Sequence, residues 1–267
     1  MITLEELRDL HGRRALITGA AGRLGKIIAE TLAEAGSSLI LVDLPNSGLE
    51  GLVQSLKKNW DVDIEIIFCD LELQKERQNL INLLIENQKD INVLINNAAF
   101  VGSNDLKGWN VPFSDQSVET WKRAFEVNTT SIFEITQGLA QKIKNSGNGS
   151  IINIASIYGV LGPDYSLYEG TSMGNPAAYS SSKGALIQLT RWLSTTLAPN
   201  IRVNAISPGG IFANQPKEFV KRYESKTPLG RMGNEDDLKG IISFLSSDLS
   251  MYVTGQNFMI DGGWSGW

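Results

Sequence analysis

Short runs of β-branched and aliphatic residues alternate along this chain with longer stretches in which apolar residues recur every three or four positions. The runs are Ala15 to Thr18, Leu39 to Val42, Ile64 to Cys69, Val93 to Ile95, Ile151 to Ile154, Ile201 to Ile206 and Phe258 to Ile260. They do not alternate with polar residues, as befits strands covered on both faces. Between them, Leu24 to Ala35 and Leu49 to Asn59 carry helical spacing, and Gly36 stands where a left-handed cap would end the first helix. This rhythm predicts an α/β chain of Rossmann type, a doubly wound parallel sheet of about seven strands flanked by helices on both faces. No linker or internal repeat divides the sequence, so one domain over 1–267 is expected.

Composition narrows the partners. Hydrophobic residues make up 42% and charged residues 20%, an ordinary globular balance. The formal net charge of −5 offers no attraction to phosphate backbones or anionic lipid, so neither nucleic acid nor membrane is expected as a partner. Acidic and basic residues interrupt the first ten positions, no stretch is long and apolar enough to span a bilayer, and the lone Cys69 can form no intrachain disulfide. A cytoplasmic protein is the expectation. His11, the only histidine, precedes the first strand, which removes a multi-histidine zinc site and a Ser-His-Asp arrangement elsewhere; no metal is expected.

After the first strand comes Thr18-Gly19-Ala20-Ala21-Gly22-Arg23-Leu24-Gly25, leading directly into a helix. Glycines in such a turn allow a sharp bend and close helix packing, and the free N–H groups at the helix start can bind a pyrophosphate. Asp43 ends the second strand about 20 residues later, where a carboxylate can accept hydrogen bonds from ribose hydroxyls and repel a 2′-phosphate. That favours NAD over NADP, although a turn-forming role before Leu44-Pro45 is an alternative for Asp43 and the Arg23 guanidinium could hold a 2′-phosphate.

Tyr179 and Lys183 lie four positions apart on one face of a helical pattern that continues through Leu186, Leu189 and Leu193. A neighbouring cation favours phenolate, so the pair can work in general acid–base catalysis. Further motifs accompany it: Cys69-Asp70-Leu71, Asn96-Asn97-Ala98-Ala99, Val127-Asn128-Thr129, Ile154-Ala155-Ser156, Arg202 through Gly209, and Asp261-Gly262-Gly263. Together these resemble the short-chain dehydrogenase/reductase family over nearly the whole chain, from Gly12 onward.

The resemblance implies an NAD(P)-dependent oxidoreductase that interconverts a secondary alcohol and a ketone. Tyr179 would exchange the proton with the substrate oxygen, Ser156 would hydrogen-bond that oxygen, Lys183 would hold the nicotinamide ribose and lower the tyrosine pKa, and Asn128 would anchor a water of the proton relay. Gly19, Gly22, Arg23, Leu24, Gly25, Asp43 and Leu44 would meet the dinucleotide. Asp70 and Leu71 would border the adenine, Asn97, Ala98 and Ala99 would line the cofactor, and Pro208, Gly209 and Ile211 would face the nicotinamide. Taken singly, Asn128 could be a helix-cap amide and Ser156 a strand-end hydroxyl.

Three features depart from the family pattern. Gly22 and Arg23 occupy positions where an unspecified residue and a glycine are usual, an arrangement closer to the sugar-nucleotide epimerase branch. Ala213 sits near a position often held by a cofactor-binding Thr. The interval from Ser156 to Tyr179 is also long, which makes 157–178 a substrate loop beside the active site or a packing element for a neighbouring subunit. Its tyrosines, acids, hydroxyls and amide suit a sugar derivative, and it is similar to members associated with bacterial surface-polysaccharide and nonulosonic-acid synthesis.

Segment 209–233 would form a lid whose Lys217, Lys221, Arg222, Lys226 and Arg231 could meet an anionic group or form a solvated face. The resemblance also implies a homotetramer or homodimer, with Trp264 and Trp267 suited to burial at an interface. An NAD-retaining epimerase or dehydratase, and a non-catalytic nucleotide sensor, are the competing functions.

Overall fold

In the computed structural model, which describes residues 1–102 and 106–267, seven strands form one parallel sheet. They are β1 (Arg14–Thr18), β2 (Ser38–Asp43), β3 (Ile64–Phe68), β4 (Val93–Asn96), β5 (Gly149–Ile154), β6 (Ile201–Pro208) and β7 (Asn257–Ile260). The spatial order is β3-β2-β1-β4-β5-β6-β7, so the chain reverses its direction of winding between β1 and β4. In an open α/β sheet that switch point leaves a crevice at the carboxyl ends of the strands.

The apolar runs become strands because both faces are covered. Ala15 and Ile17 of β1 pack with Ile28, Leu32, Leu56 and Ile242 on one side. Leu16 faces Leu80, Leu84, Ile135 and Leu139 on the other. Gly36, at φ +90°, ends the helix Arg23–Glu34 as expected, its amide donating to Ala33. The edge strand β3 departs from the expectation of full coverage: its residues are only half-buried, Phe68 is exposed, and Cys69 lies buried just beyond its end. Among the described residues, no helix is long and apolar enough to cross a membrane.

Two polar devices tie the strand ends together at the crevice. Buried Asn96 donates to Asn153 Oδ1 at 2.8 Å, and Asn153 donates to Thr190 at 2.9 Å, which links β4 and β5 to the helix Ala177–Leu197. Asn97 instead donates from Nδ2 to the carbonyls of Thr18 and Gly19, at 3.1 and 2.8 Å. Adjacent asparagines therefore serve different partners, one joining strands and the other fastening the glycine turn.

Candidate active site

A cleft of about 910 Å³ opens at the switch point. Of the residues expected to act on cofactor or substrate, all but Gly25 and Asn128 line it. At one end the glycine turn runs into the helix Arg23–Glu34, whose first residue follows Gly22 without any side-chain cap, so the helix presents backbone N–H groups to the cleft. Gly19 needs its positive φ of +63°, and a methyl there would fall 2.7 Å from Ala98 Cα. Gly25 is a correction: it does not line the cleft, and a methyl would fall 2.1 Å from the Gly19 carbonyl oxygen. Its part is to let the helix pack against the turn.

Asp43 accepts from the amides of Ala21 at 2.8 Å and Leu44 at 2.7 Å, so its carboxylate braces the glycine turn while facing the cleft. The turn-forming role is thus present in a residue that also lines the cleft. The Arg23 guanidinium, considered above as a 2′-phosphate ligand, is bound to the Phe212 carbonyl and the Glu235 carboxylate instead. Asp70 and Leu71 border the same cleft, and the Leu71 carbonyl accepts at 2.7 Å from buried Arg77, which also pairs with Glu126 and Glu134.

Toward β5 and β6 stand Ser156, Tyr179 and Lys183. Ser156 follows β5 and caps the short turn Ile157–Gly159, accepting from the Tyr158 amide at 3.2 Å. Tyr179 enters from the first turn of the helix Ala177–Leu197, and Lys183 follows one turn later, 2% exposed. Lys183 Nζ donates to the Ile154 carbonyl at 2.8 Å and lies 5.9 Å from the centroid of the Tyr179 ring.

Burial shapes both groups. It pulls the Lys183 amine down to a pKa of about 8. It pushes the Tyr179 phenol above its ordinary value, opposed only by a hydrogen bond with Ser156. The expected lowering of the tyrosine by its lysine is thus not what the geometry produces, because the ammonium is directed at a backbone carbonyl rather than at the phenol.

Asn128 also stands apart from the cleft lining. It occupies a turn of π-helix, Glu126–Thr130, fully buried and outside the cleft lining. Its Oδ1 accepts from the Phe100 amide at 2.6 Å, and its Nδ2 donates to the Phe100 carbonyl at 3.2 Å and to Ser182 at 3.0 Å. Ser182 in turn donates to the Tyr179 carbonyl at 2.9 Å. The side chain therefore holds the cleft wall at Phe100 and the turn that carries Tyr179.

The long loop does lie beside the site. A second cavity of about 240 Å³ shares Val101 and Tyr179 with the cleft and is walled by Tyr158, Met173, Asn175 and Trp109. Three of the basic lid residues are engaged within the chain. Arg222 donates to the carbonyls of Leu167 and Glu169, Lys226 pairs with Asp164, and Arg231 pairs with Asp237. Tyr168 packs on Phe219 at 5.5 Å, so the loop and the helix Lys217–Lys226 are joined by apolar and polar contacts alike. Trp264 stacks within the chain on Tyr223, at 4.6 Å and 8°, whereas Trp267 is exposed as expected.

Sequence reasoning missed Arg123 and Glu72, which both line the cleft and form a bidentate pair at 2.6 and 3.0 Å, with the guanidinium 4.9 Å above the Phe100 ring. They stand 51 positions apart and carry no local motif.

Comparison with known proteins follows the same lines. Residues 19–265 match the family model described as enoyl-(acyl carrier protein) reductase. A 2,5-dichloro-2,5-cyclohexadiene-1,4-diol dehydrogenase from Sphingobium indicum is 32% identical, covering 96% of this chain and 97% of its own. The crystal structure of a short chain dehydrogenase from Leptospira borgpetersenii with bound NAD+ superposes with a TM-score of 0.82 at 35% identity, covering 99% and 97% of the two chains. A gluconate 5-dehydrogenase from Burkholderia cenocepacia, in complex with NADP and tartrate, gives 0.86 at 26% identity, covering 99% and 100%.

Proposed function

The chain belongs to the short-chain dehydrogenase/reductase family, and on that footing we propose that it is an NAD-dependent dehydrogenase interconverting a secondary alcohol and a ketone on a compact polyhydroxylated substrate. The observation that carries this reading is the convergence of Ser156, Tyr179 and Lys183 on one wall of a cleft whose far end holds a helix N-terminus and Asp43. The uncapped helix amides suit a pyrophosphate, Asp43 suits a ribose diol, and one cleft of about 910 Å³ is lined by both this end and the Ser156–Tyr179–Lys183 wall. The nicotinamide supplies a hydride acceptor when bound.

This chain's own residues manage the proton. During alcohol oxidation the carbinol C–H bond breaks with its electron pair leaving as hydride, the C=O bond forms, and the hydroxyl proton passes to the phenolate of Tyr179. Ser156 would hold the substrate oxygen and favour the phenolate through its hydrogen bond to Tyr179, Lys183 would hold the nicotinamide ribose, and reduction runs the same steps backward. Asn128 contributes by holding Phe100 and Ser182.

NAD is favoured because Asp43 faces the cleft while Arg23 is engaged by Glu235 and Phe212. A sugar derivative agrees with the polar loop beside Tyr179; the narrower likeness to polysaccharide-associated and nonulosonic-acid-associated members rests on the loop sequence alone. Exposed Phe133 on the helix Ser131–Asn145, Trp192 on the helix that carries Tyr179 and Trp267 at the end of the chain offer apolar surface that supports a homo-oligomer, measurable as a solution mass above 29.2 kDa.

The test is the absorbance of reduced nicotinamide on mixing the protein with NAD, then NADP, and a panel of cyclic alcohols and sugars, with Tyr179→Phe as control. Turnover with NAD that falls about 10³-fold in the variant, while NADH fluorescence still reports binding, is the expected result. NAD binding without net turnover over the panel would contradict it.

A further inference from the structure

The two sides of the cleft differ in what they offer. Ser156 follows β5 on one side of the switch point, whereas Asp43 ends β2 and Asp70 follows β3 on the other. The alcohol and the nicotinamide belong with Ser156 and Tyr179, so the second base of a dinucleotide falls to the side bordered by Asp70, Glu72 and Arg123.

Arg123 stands on the helix Val118–Phe125, one turn before Val127, and both residues line the cleft. Its Nε and Nη2 donate to the two oxygens of Glu72 at 2.6 and 3.0 Å, a fork that fixes the plane of the guanidinium. The guanidinium carbon lies 4.9 Å from the centroid of the Phe100 ring, which covers one face. Phe100 is itself held: Asn128 binds its amide and its carbonyl, and its ring meets Trp109 at 5.0 Å and 87°. Phe100 takes one face and Glu72 one edge, which leaves the second face for a ligand in the cleft.

A cation in such a cleft first suggests a phosphate partner, but the neighbouring charges oppose that. The hydrogen bond with Glu72, aided by the nearby carboxylates of Glu119 and Asp70, already holds the guanidinium above its ordinary pKa. A phosphate brought here would meet those carboxylates as well. What the group still offers is a flat, delocalised surface, and a guanidinium plane stacks well on an uncharged heteroaromatic ring. As a support for the fold alone, a partly solvated pair of this kind adds little.

From this geometry we propose that Arg123, held in plane by Glu72 and backed by Phe100, is a cofactor-binding residue whose guanidinium stacks on the purine of the dinucleotide. The assignment rests on the dinucleotide reading above and names the seat of its second base. The seat is assembled before the ligand arrives, so little ordering is left for binding to supply.

The test is the binding of NADH, AMP and reduced nicotinamide mononucleotide to the full chain, followed by fluorescence of the reduced nicotinamide and, for AMP, by displacement of NADH. Arg123→Met, which keeps the length and loses the plane, is expected to weaken NADH and AMP about tenfold each and to leave the mononucleotide unchanged. Arg123→Lys keeps the charge without the plane and should lose nearly as much. Glu72→Gln keeps the shape but loosens the grip on the guanidinium, and should lose part of the affinity. A merely structural role would act through the cleft wall at Phe100 and weaken all three ligands together. Equal losses on all three, full retention in Arg123→Lys, or unchanged AMP binding in Arg123→Met would overturn the seat and leave the dehydrogenase reading standing. An unsubstituted protein that binds neither NADH nor AMP would overturn both.

Discussion

Tyr179 and Lys183 share a helix face, yet the Lys183 ammonium donates to the Ile154 carbonyl and stands 5.9 Å from the centre of the Tyr179 ring. The two groups are shifted in opposite directions by the same cause. Burial disfavours the charged form of each, which raises the phenol and lowers the amine.

Lys183 therefore costs stability at neutral pH. Its folded value of about 8 lies below the ordinary 10.5, so between these values the unfolded chain binds more protons and stability rises as pH rises. Below pH 8 the cost is fully present. Lys183→Met should raise the unfolding free energy at pH 7 by on the order of 3 kcal/mol, and the gain should shrink to nothing near pH 10.5. Urea unfolding across that range measures it; a gain independent of pH would contradict burial of charge as the cause.

Gly25 and Gly51 should respond oppositely to alanine. A methyl at Gly25 meets the Gly19 carbonyl at 2.1 Å, whereas at Gly51, inside the helix Leu49–Asn59, it meets nothing within 4 Å. Gly25→Ala should lower stability by about 1–3 kcal/mol and weaken NADH binding by displacing the glycine turn. Gly51→Ala should raise stability by about 0.5–1 kcal/mol with binding unchanged. Thermal melts and NADH fluorescence titration decide both.

Arg222 should influence substrate but not cofactor. It joins the lid helix to the loop carbonyls of Leu167 and Glu169, away from the glycine turn. Because the contact is partly solvated, Arg222→Ala should raise KM only about two- to fivefold, with the NADH dissociation constant unchanged. An equal effect on NADH would show that loop and cofactor end are coupled.

Asp43 should carry cofactor choice. Its carboxylate faces the cleft and is held by the Ala21 and Leu44 amides, so Asp43→Asn keeps the size and one acceptor while removing the charge. The ratio of NAD to NADP in kcat/KM should fall by about tenfold, mostly through gain with NADP. An unchanged ratio would assign the discrimination elsewhere.

The strands and the glycine turn were legible in the sequence because their signals are local. An uninterrupted apolar run must be covered on both faces, and a glycine turn entering a helix offers backbone N–H groups whatever surrounds it. The membership of Ser156, Tyr179 and Lys183 in one wall followed from separate motifs that share a known pattern. What the sequence could not show was the use made of individual polar groups. Arg23 turning to Glu235, Arg222 and Lys226 binding the loop, and Asn128 holding Phe100 all join residues distant in the chain. Each could as well have faced a ligand; the competition among hydrogen-bond partners is settled only when packing brings them within about 3 Å. The direction of the Tyr179 shift belongs to the same class, since desolvation is a property of the assembled cleft.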